Sequence, residues 1–140
     1  MATARARTFE FAVSLDPDWT ARSDRGGEPL LHDGDAWTPE HLVLAGLARC
    51  TLTALRFHAA RADLELQCDA DARGTVTRRE EDGRFAFVEI EVDLRVTIEQ
   101  PPEPDALRAL LARAERDCFV GASLAVKPRY AWVVNGEPVA

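Results

Sequence analysis

Glu89-Ile90-Glu91-Val92-Asp93-Leu94-Arg95-Val96-Thr97-Ile98-Glu99 alternates, without a break, between polar and aliphatic residues. Successive side chains of a β-strand point to opposite faces. Ile90, Val92, Leu94, Val96 and Ile98 therefore share one side, and Glu89, Glu91, Asp93, Arg95, Thr97 and Glu99 share the other. Period two this regular predicts a strand in a sheet with one dry and one wet face. The dry face needs an apolar cover, and the rest of the chain should supply it.

Just upstream, Glu80-Glu81-Asp82-Gly83 has the composition of a hairpin turn, and before it Leu64, Leu66, Cys68, Ala70 and Ala72 alternate with Glu65, Gln67, Asp69 and Asp71. This predicts a partner strand that carries Cys68 on its apolar face as a core residue. The cover is predicted at Thr38-Pro39-Glu40, which opens a helix running to about residue 60. Threonine can cap, proline at the first helical position loses no needed hydrogen bond, and an acid there suits the helix dipole. Val43, Leu47, Cys50, Ala54 and Phe57 fall three and four apart and form one stripe, widened by Leu42, Leu44, Leu52 and Leu55. Such a helix is covered on more than one side.

Towards the start, Phe9, Phe11, Val13 and Leu15 alternate with Glu10 and Ser14, which predicts a half-buried strand beginning near residue 8 and ended by Asp16-Pro17-Asp18. Residues 20–35 are polar, with turns at Arg25-Gly26-Gly27 and His32-Asp33-Gly34-Asp35 and a short edge strand at Pro29-Leu30-Leu31 between them. Downstream, Pro101, Pro102 and Pro104 break the chain, and Leu107, Leu110, Leu111, Ala114 and Cys118 then follow at helical spacing. Gly121 and Pro128 bracket a helical turn at 122–125. Tyr130, Trp132 and Val134 form a last strand, closed by Asn135-Gly136. The order β-β-α-β-β-α-β, with adjacent strands antiparallel, predicts an α+β fold in a single domain over residues 1–140.

Hydrophobic residues make up 46% of the 140 and charged residues 29%, ordinary for a folded soluble chain. The net charge of -7 and the single lysine, Lys127, argue against a nucleic-acid partner. The start lacks the apolar run of a secretory signal, and the most apolar helical stretch, 42–57, carries Arg49 and Arg56 and is too short to span a bilayer. No membrane association is expected. Cys50, Cys68 and Cys118 are an odd number at wide spacing, unlike a secreted disulfide framework, so the expected location is cytoplasmic with reduced thiols.

A cysteine in mid-helix is either a small core residue or a nucleophile, and the residues alone leave both open for Cys50. Glu40 lies ten residues earlier, close to the same helix face but roughly 15 Å along the axis. It can orient a cation near Cys50 more readily than touch the thiol. His41 and His58 read as surface or interface residues, and Trp19, Trp37 and Trp132 as packing or interface residues. A zinc site from Cys50, His58 and Cys118 lacks Cys-x-x-Cys spacing, so no metal is expected.

Thr38-Pro39-Glu40-His41-Leu42, followed by Ala45-Gly46-Leu47-Ala48-Arg49-Cys50, resembles the segment of OsmC/Ohr proteins in which a Pro-Glu pair opens a helix and a cysteine follows ten residues after the glutamate. Ala114-Glu115-Arg116-Asp117-Cys118-Phe119-Val120-Gly121-Ala122-Ser123-Leu124 resembles the family's second motif, although Phe119 and Gly121 stand where many members have proline and serine. The resemblance implies an OsmC-like fold around a long central helix, in an intertwined homodimer with its sites at the subunit interface. It also implies a cysteine-based hydroperoxide reductase without cofactor. In it Cys50 is the peroxidatic and Cys118 the resolving cysteine, Glu40 positions an arginine, and Arg25, with Arg22 next, is that arginine. The implied partners are a small-molecule hydroperoxide and an external dithiol reductant. Two other readings stand beside this one: an OsmC-like module that binds small molecules or lipid without turnover, and a plain structural dimer.

Overall fold

A computed structural model describes residues 7–30 and 36–140, in two compact units, Met1–Pro39 and Glu40–Ala140. The expected turn at 32–35 and Leu31 of the edge strand lie outside the described residues.

In the N-terminal unit, β1 (Val13–Leu15) pairs antiparallel with β2 (Ala21–Ser23), and Leu30 bridges to Ala21. The turn between the strands is held by Asp16, whose carboxylate accepts the Thr20 N–H at 3.0 Å. The strand expected from residue 8 begins only at Val13, and Phe9, Phe11, Val13 and Leu15 are all exposed rather than half-buried. Alternation specifies which side chains share a face. It does not supply a layer to cover them, and a two-stranded ribbon has none of its own.

The C-terminal unit contains α1 (Pro39–Arg61), β3 (Leu66–Arg78), β4 (Phe85–Ile98), α2 (Pro104–Arg116), α3 (Phe119–Ser123), β5 (Arg129–Val134) and β6 (Glu137–Val139). The sheet order is β3-β4-β5-β6. Strand β4 holds the core as its alternation predicts: Ile90, Val92, Leu94, Val96 and Ile98 are each at most 2% exposed. Leu47 and Leu55 of α1, Leu110, Leu111 and Ala114 of α2, and Cys118 pack in the same cluster. Cys68 is half-buried at its edge, as its strand face implies.

On the wet face, register explains the ion pairs. Arg73 lies opposite Glu91 and Arg95 opposite Asp69, and each arginine binds the acid across from it. Asp71 and Asp93 face each other across the ladder, a like-charge juxtaposition. Arg95 answers Asp71 at 2.8 Å and Arg73 answers Asp93 at 2.6 Å. Arg129 of β5 extends the network to Glu89 and Glu91.

Four further expectations need correction. Strands β4 and β5 are parallel, not antiparallel. The chain between them carries α2 and α3, and a helical crossover returns it to the starting end of the sheet. A further strand, β6, follows Asn135-Gly136, whose φ values of 51° and 82° suit the two-residue turn that closes a hairpin. The buried row of α1 is Leu47, Thr51, Leu55 and Ala59, whereas Cys50 and Ala54 flank it half-buried and Phe57 is 58% exposed. The helix is apolar on so many sides that spacing alone did not set its phase. At 23 residues α1 is also long and apolar enough to cross a membrane by length and composition, so the stretch is not too short. A core helix meets the same criterion, and Leu47 and Leu55 of the buried row lie in the sheet's core cluster.

Candidate functional site

Helix α1 brings Cys50 and Thr51 to the point where α2 hands over to α3. The handover is made at Cys118, which is fully buried and serves as the N-cap of α3: its Sγ accepts the Gly121 N–H at 3.3 Å. One residue along, the Val120 N–H reaches the Cys50 Sγ at 3.5 Å. The start of α3 therefore offers backbone donors to both sulfurs. His58 and Asp117, 2.7 Å apart, tie α1 to the residue just before Cys118. His58 is thus a largely buried tether rather than a surface residue. Arg116 and His58 together hold the Asp117 carboxyl down at about 2.

Cys118 acts directly on the Cys50 thiol. Burial pushes the Cys50 thiol above its ordinary value of 9.0, the Val120 N–H pulls it down, and Cys118 raises it again through a side-chain hydrogen bond and its charge. The largest effect works against ionisation, as expected when a thiolate leaves water.

Sequence reasoning missed Thr51 and Tyr130. Thr51 is fully buried; its hydroxyl donates to the Leu47 carbonyl at 3.0 Å and lies 3.4 Å from the Cys118 Sγ. Tyr130 arrives from β5. Burial first, then the Cys118 charge, push its phenol up to about 12, with the Thr51 hydroxyl opposing. Gly121 leaves room for it: a Cβ there would sit 2.6 Å from the Tyr130 Oη and 3.4 Å from the Cys118 Sγ. Glycine in place of the family's more usual serine thus has a steric reason. Thr51 carried one signal, a hydroxyl four residues from both Leu47 and Leu55 in an otherwise apolar row. Tyr130 carried none, because only the parallel register of β5 brings it here.

Glu40 is exposed in the first turn of α1, ten residues before Cys50. Arg25 and Arg22 belong to the N-terminal unit. There Arg25 lies 4.6 Å over the Phe11 ring, and the Arg22 Nε is 3.7 Å from an Asp16 carboxylate oxygen.

An α+β chain thus brings a thiol of α1 and a thiol at the N-cap of α3 to the same place in the fold. Residues 32–131 match the OsmC-like protein family, and the chain belongs to that family. Among solved structures, an OsmC-like protein of unknown function from Vibrio cholerae is similar at TM-score 0.75 and 14% identity, over 90% of this chain and 100% of that one. An organic hydroperoxide resistance protein from Elizabethkingia anophelis is similar at TM-score 0.65 and 18% identity, over 94% and 100%. OhrB, the organic hydroperoxide resistance protein of Bacillus subtilis, gives TM-score 0.56 and 23% identity, over 91% and 98%. At these identities the likeness establishes the fold. No curated protein sequence matches the chain significantly.

Proposed function

We propose that residues 1–140 work as one OsmC-like domain, a cytoplasmic, cofactor-free thiol peroxidase that reduces organic hydroperoxides or hydrogen peroxide. The observation that carries this reading is the convergence of both sulfurs on the start of α3, where consecutive backbone N–H groups reach them, Val120 to Cys50 at 3.5 Å and Gly121 to Cys118 at 3.3 Å. The Cys50 thiolate attacks the O–O bond, which breaks. Cys50 becomes a sulfenic acid, and the other oxygen leaves as an alkoxide that takes up a proton to give the alcohol. Cys118 then displaces hydroxide from Cys50, and the resulting disulfide is reduced by an external dithiol.

Burial opposes the Cys50 thiolate, so the first step needs a cation. We assign that role to Arg25, with Arg22 as second choice, and assign Glu40 the task of orienting it. A homodimer is part of the proposal. It is supported by the exposed Phe11, Val13 and Leu15 of the N-terminal unit and by Phe57 and Phe85 of the other, apolar surface that a second subunit would cover. Neither nucleic acid nor membrane is a proposed partner. One equivalent of cumene hydroperoxide should remove two free thiols, and Cys50→Ser should abolish the loss. A wild-type protein that keeps all three thiols contradicts the proposal.

A specific observation favours a second reading, a module that binds small molecules or lipid. The Cys50 thiol is shifted up rather than down, with burial as the largest cause. On that reading the pocket is a dry cleft, and Cys50 never ionises near neutral pH.

A further inference from the structure

We infer that Thr51 and Tyr130 are catalytic residues of the resolving step: their hydroxyls, with the Gly121 N–H, hold the Cys118 sulfur as an anion aimed at Cys50. The inference rests on the peroxidase reading and assigns to this chain the groups that make its second thiol a nucleophile.

Cys118 is fully buried, so water cannot solvate its thiolate, and an unsolvated buried anion is costly unless protein donors replace the water. Three donors surround this sulfur. The Gly121 N–H is 3.3 Å away and the Thr51 Oγ1 3.4 Å away. The Tyr130 hydroxyl borders the same space: a Cβ on Gly121 would lie 2.6 Å from the Tyr130 Oη and 3.4 Å from the Cys118 Sγ, and the Thr51 hydroxyl and the Cys118 charge both act on the phenol. The close approach of Tyr130 is possible only because residue 121 has no side chain.

Thr51 has one hydroxyl proton, and both the Leu47 carbonyl and the Cys118 sulfur lie within its reach. The carbonyl also accepts a helical N–H, so the proton can swing to the sulfur when it becomes charged, where the hydrogen bond is stronger. With a phenol near 12, Tyr130 stays protonated over the working range and acts as a donor, never as a base.

In the step itself the Cys118 thiolate attacks the Cys50 sulfur of the sulfenic acid. The S–S bond forms and the S–O bond breaks. Hydroxide leaves with the electron pair of that bond and takes up the proton Cys118 had released, departing as water. Thr51 and Tyr130 keep their protons throughout.

Disulfide exchange tests this without peroxide. In a Cys68→Ser background, dithiobis(nitrobenzoate) should label the half-buried Cys50 and release one coloured thiolate. Cys118 then attacks the mixed disulfide and releases a second, and this second phase reads the nucleophilicity of Cys118. Thr51→Val and Tyr130→Phe should each slow it about tenfold, as expected for losing a hydrogen bond to a charged group, and leave the first phase within about twofold. Thr51→Ser, which keeps the hydroxyl, should restore it. A second phase unchanged in both variants, or slowed only in proportion to the first, overturns the inference. Failure of the peroxidase reading shows separately, as a parent protein that keeps its thiols under cumene hydroperoxide. The exchange phase still decides whether the hydroxyls activate Cys118.

Discussion

Gly121→Ala probes the crowding around Cys118 with a single methyl group. The added Cβ would lie 2.6 Å from the Tyr130 Oη, 3.4 Å from the Cys118 Sγ and 3.5 Å from a Leu47 methyl. The last two are ordinary contacts, but the first is an overlap of several tenths of an ångström with the tip of a rigid ring. Tyr130 must retreat along β5 or α3 must lift. Forcing one extra methyl into a packed site costs about 1–3 kcal/mol. The helical preference of alanine over glycine opposes this by up to about 1 kcal/mol. In a Tyr130→Phe background the hydroxyl is gone, and the same substitution should be neutral or slightly stabilising. The double-mutant cycle should therefore show a coupling of about 1–3 kcal/mol, read from urea unfolding midpoints under reducing conditions with m held common. If Gly121→Ala destabilises both backgrounds equally, the placement of Tyr130 over Gly121 is wrong, and its link to Cys118 falls with it.

Three further outcomes follow from the same geometry. Leu94→Ala, at the fully buried centre of β4, should destabilise the protein by about 2–5 kcal/mol in urea unfolding; a loss below about 1 kcal/mol would mean the dry face is not the core. Asp117 is held down at about 2 from 3.8 in the folded state, so its contribution to stability is present above pH 3.8 and lost as pH falls towards 2. Asp117→Asn should flatten that part of the acid unfolding profile, and an unchanged profile would remove Asp117 from the tether. If Arg25 serves Cys50, iodoacetamide labelling of wild-type Cys50 should have a midpoint below neutrality, and Arg25→Ala should return it above the ordinary thiol value. A wild-type midpoint already above that value favours the binding module.

Strand β4 was legible because Ile90 to Ile98 obey one period with no exception, and a single buried face leaves only one register. The phase of α1 was misread because its apolar residues spread over several faces, although Arg49, Thr53 and Arg56, four and three apart and all exposed, mark the side opposite the buried row. Asn135-Gly136 reads in the sequence only as the close of the last strand; it turns the chain into β6, whose three residues are too few for alternation to show. The direction of β5 depends on how α2 and α3 cross the sheet, a tertiary choice that local pattern does not encode. Cys50 and Cys118 were found through the spacing of two family motifs. Thr51 and Tyr130 come together only in space, since a strand 12 residues beyond Cys118 returns parallel to β4 and delivers the hydroxyl.

Peptide mapping after brief exposure to substoichiometric cumene hydroperoxide, under non-reducing conditions, tests the central assignment most directly. The expected product is a single cross-link joining the peptide of Cys50 to that of Cys118, with Cys68 still a free thiol. Cys50 driven to sulfinic acid with Cys118 untouched, or a cross-link that runs through Cys68, would contradict the pairing.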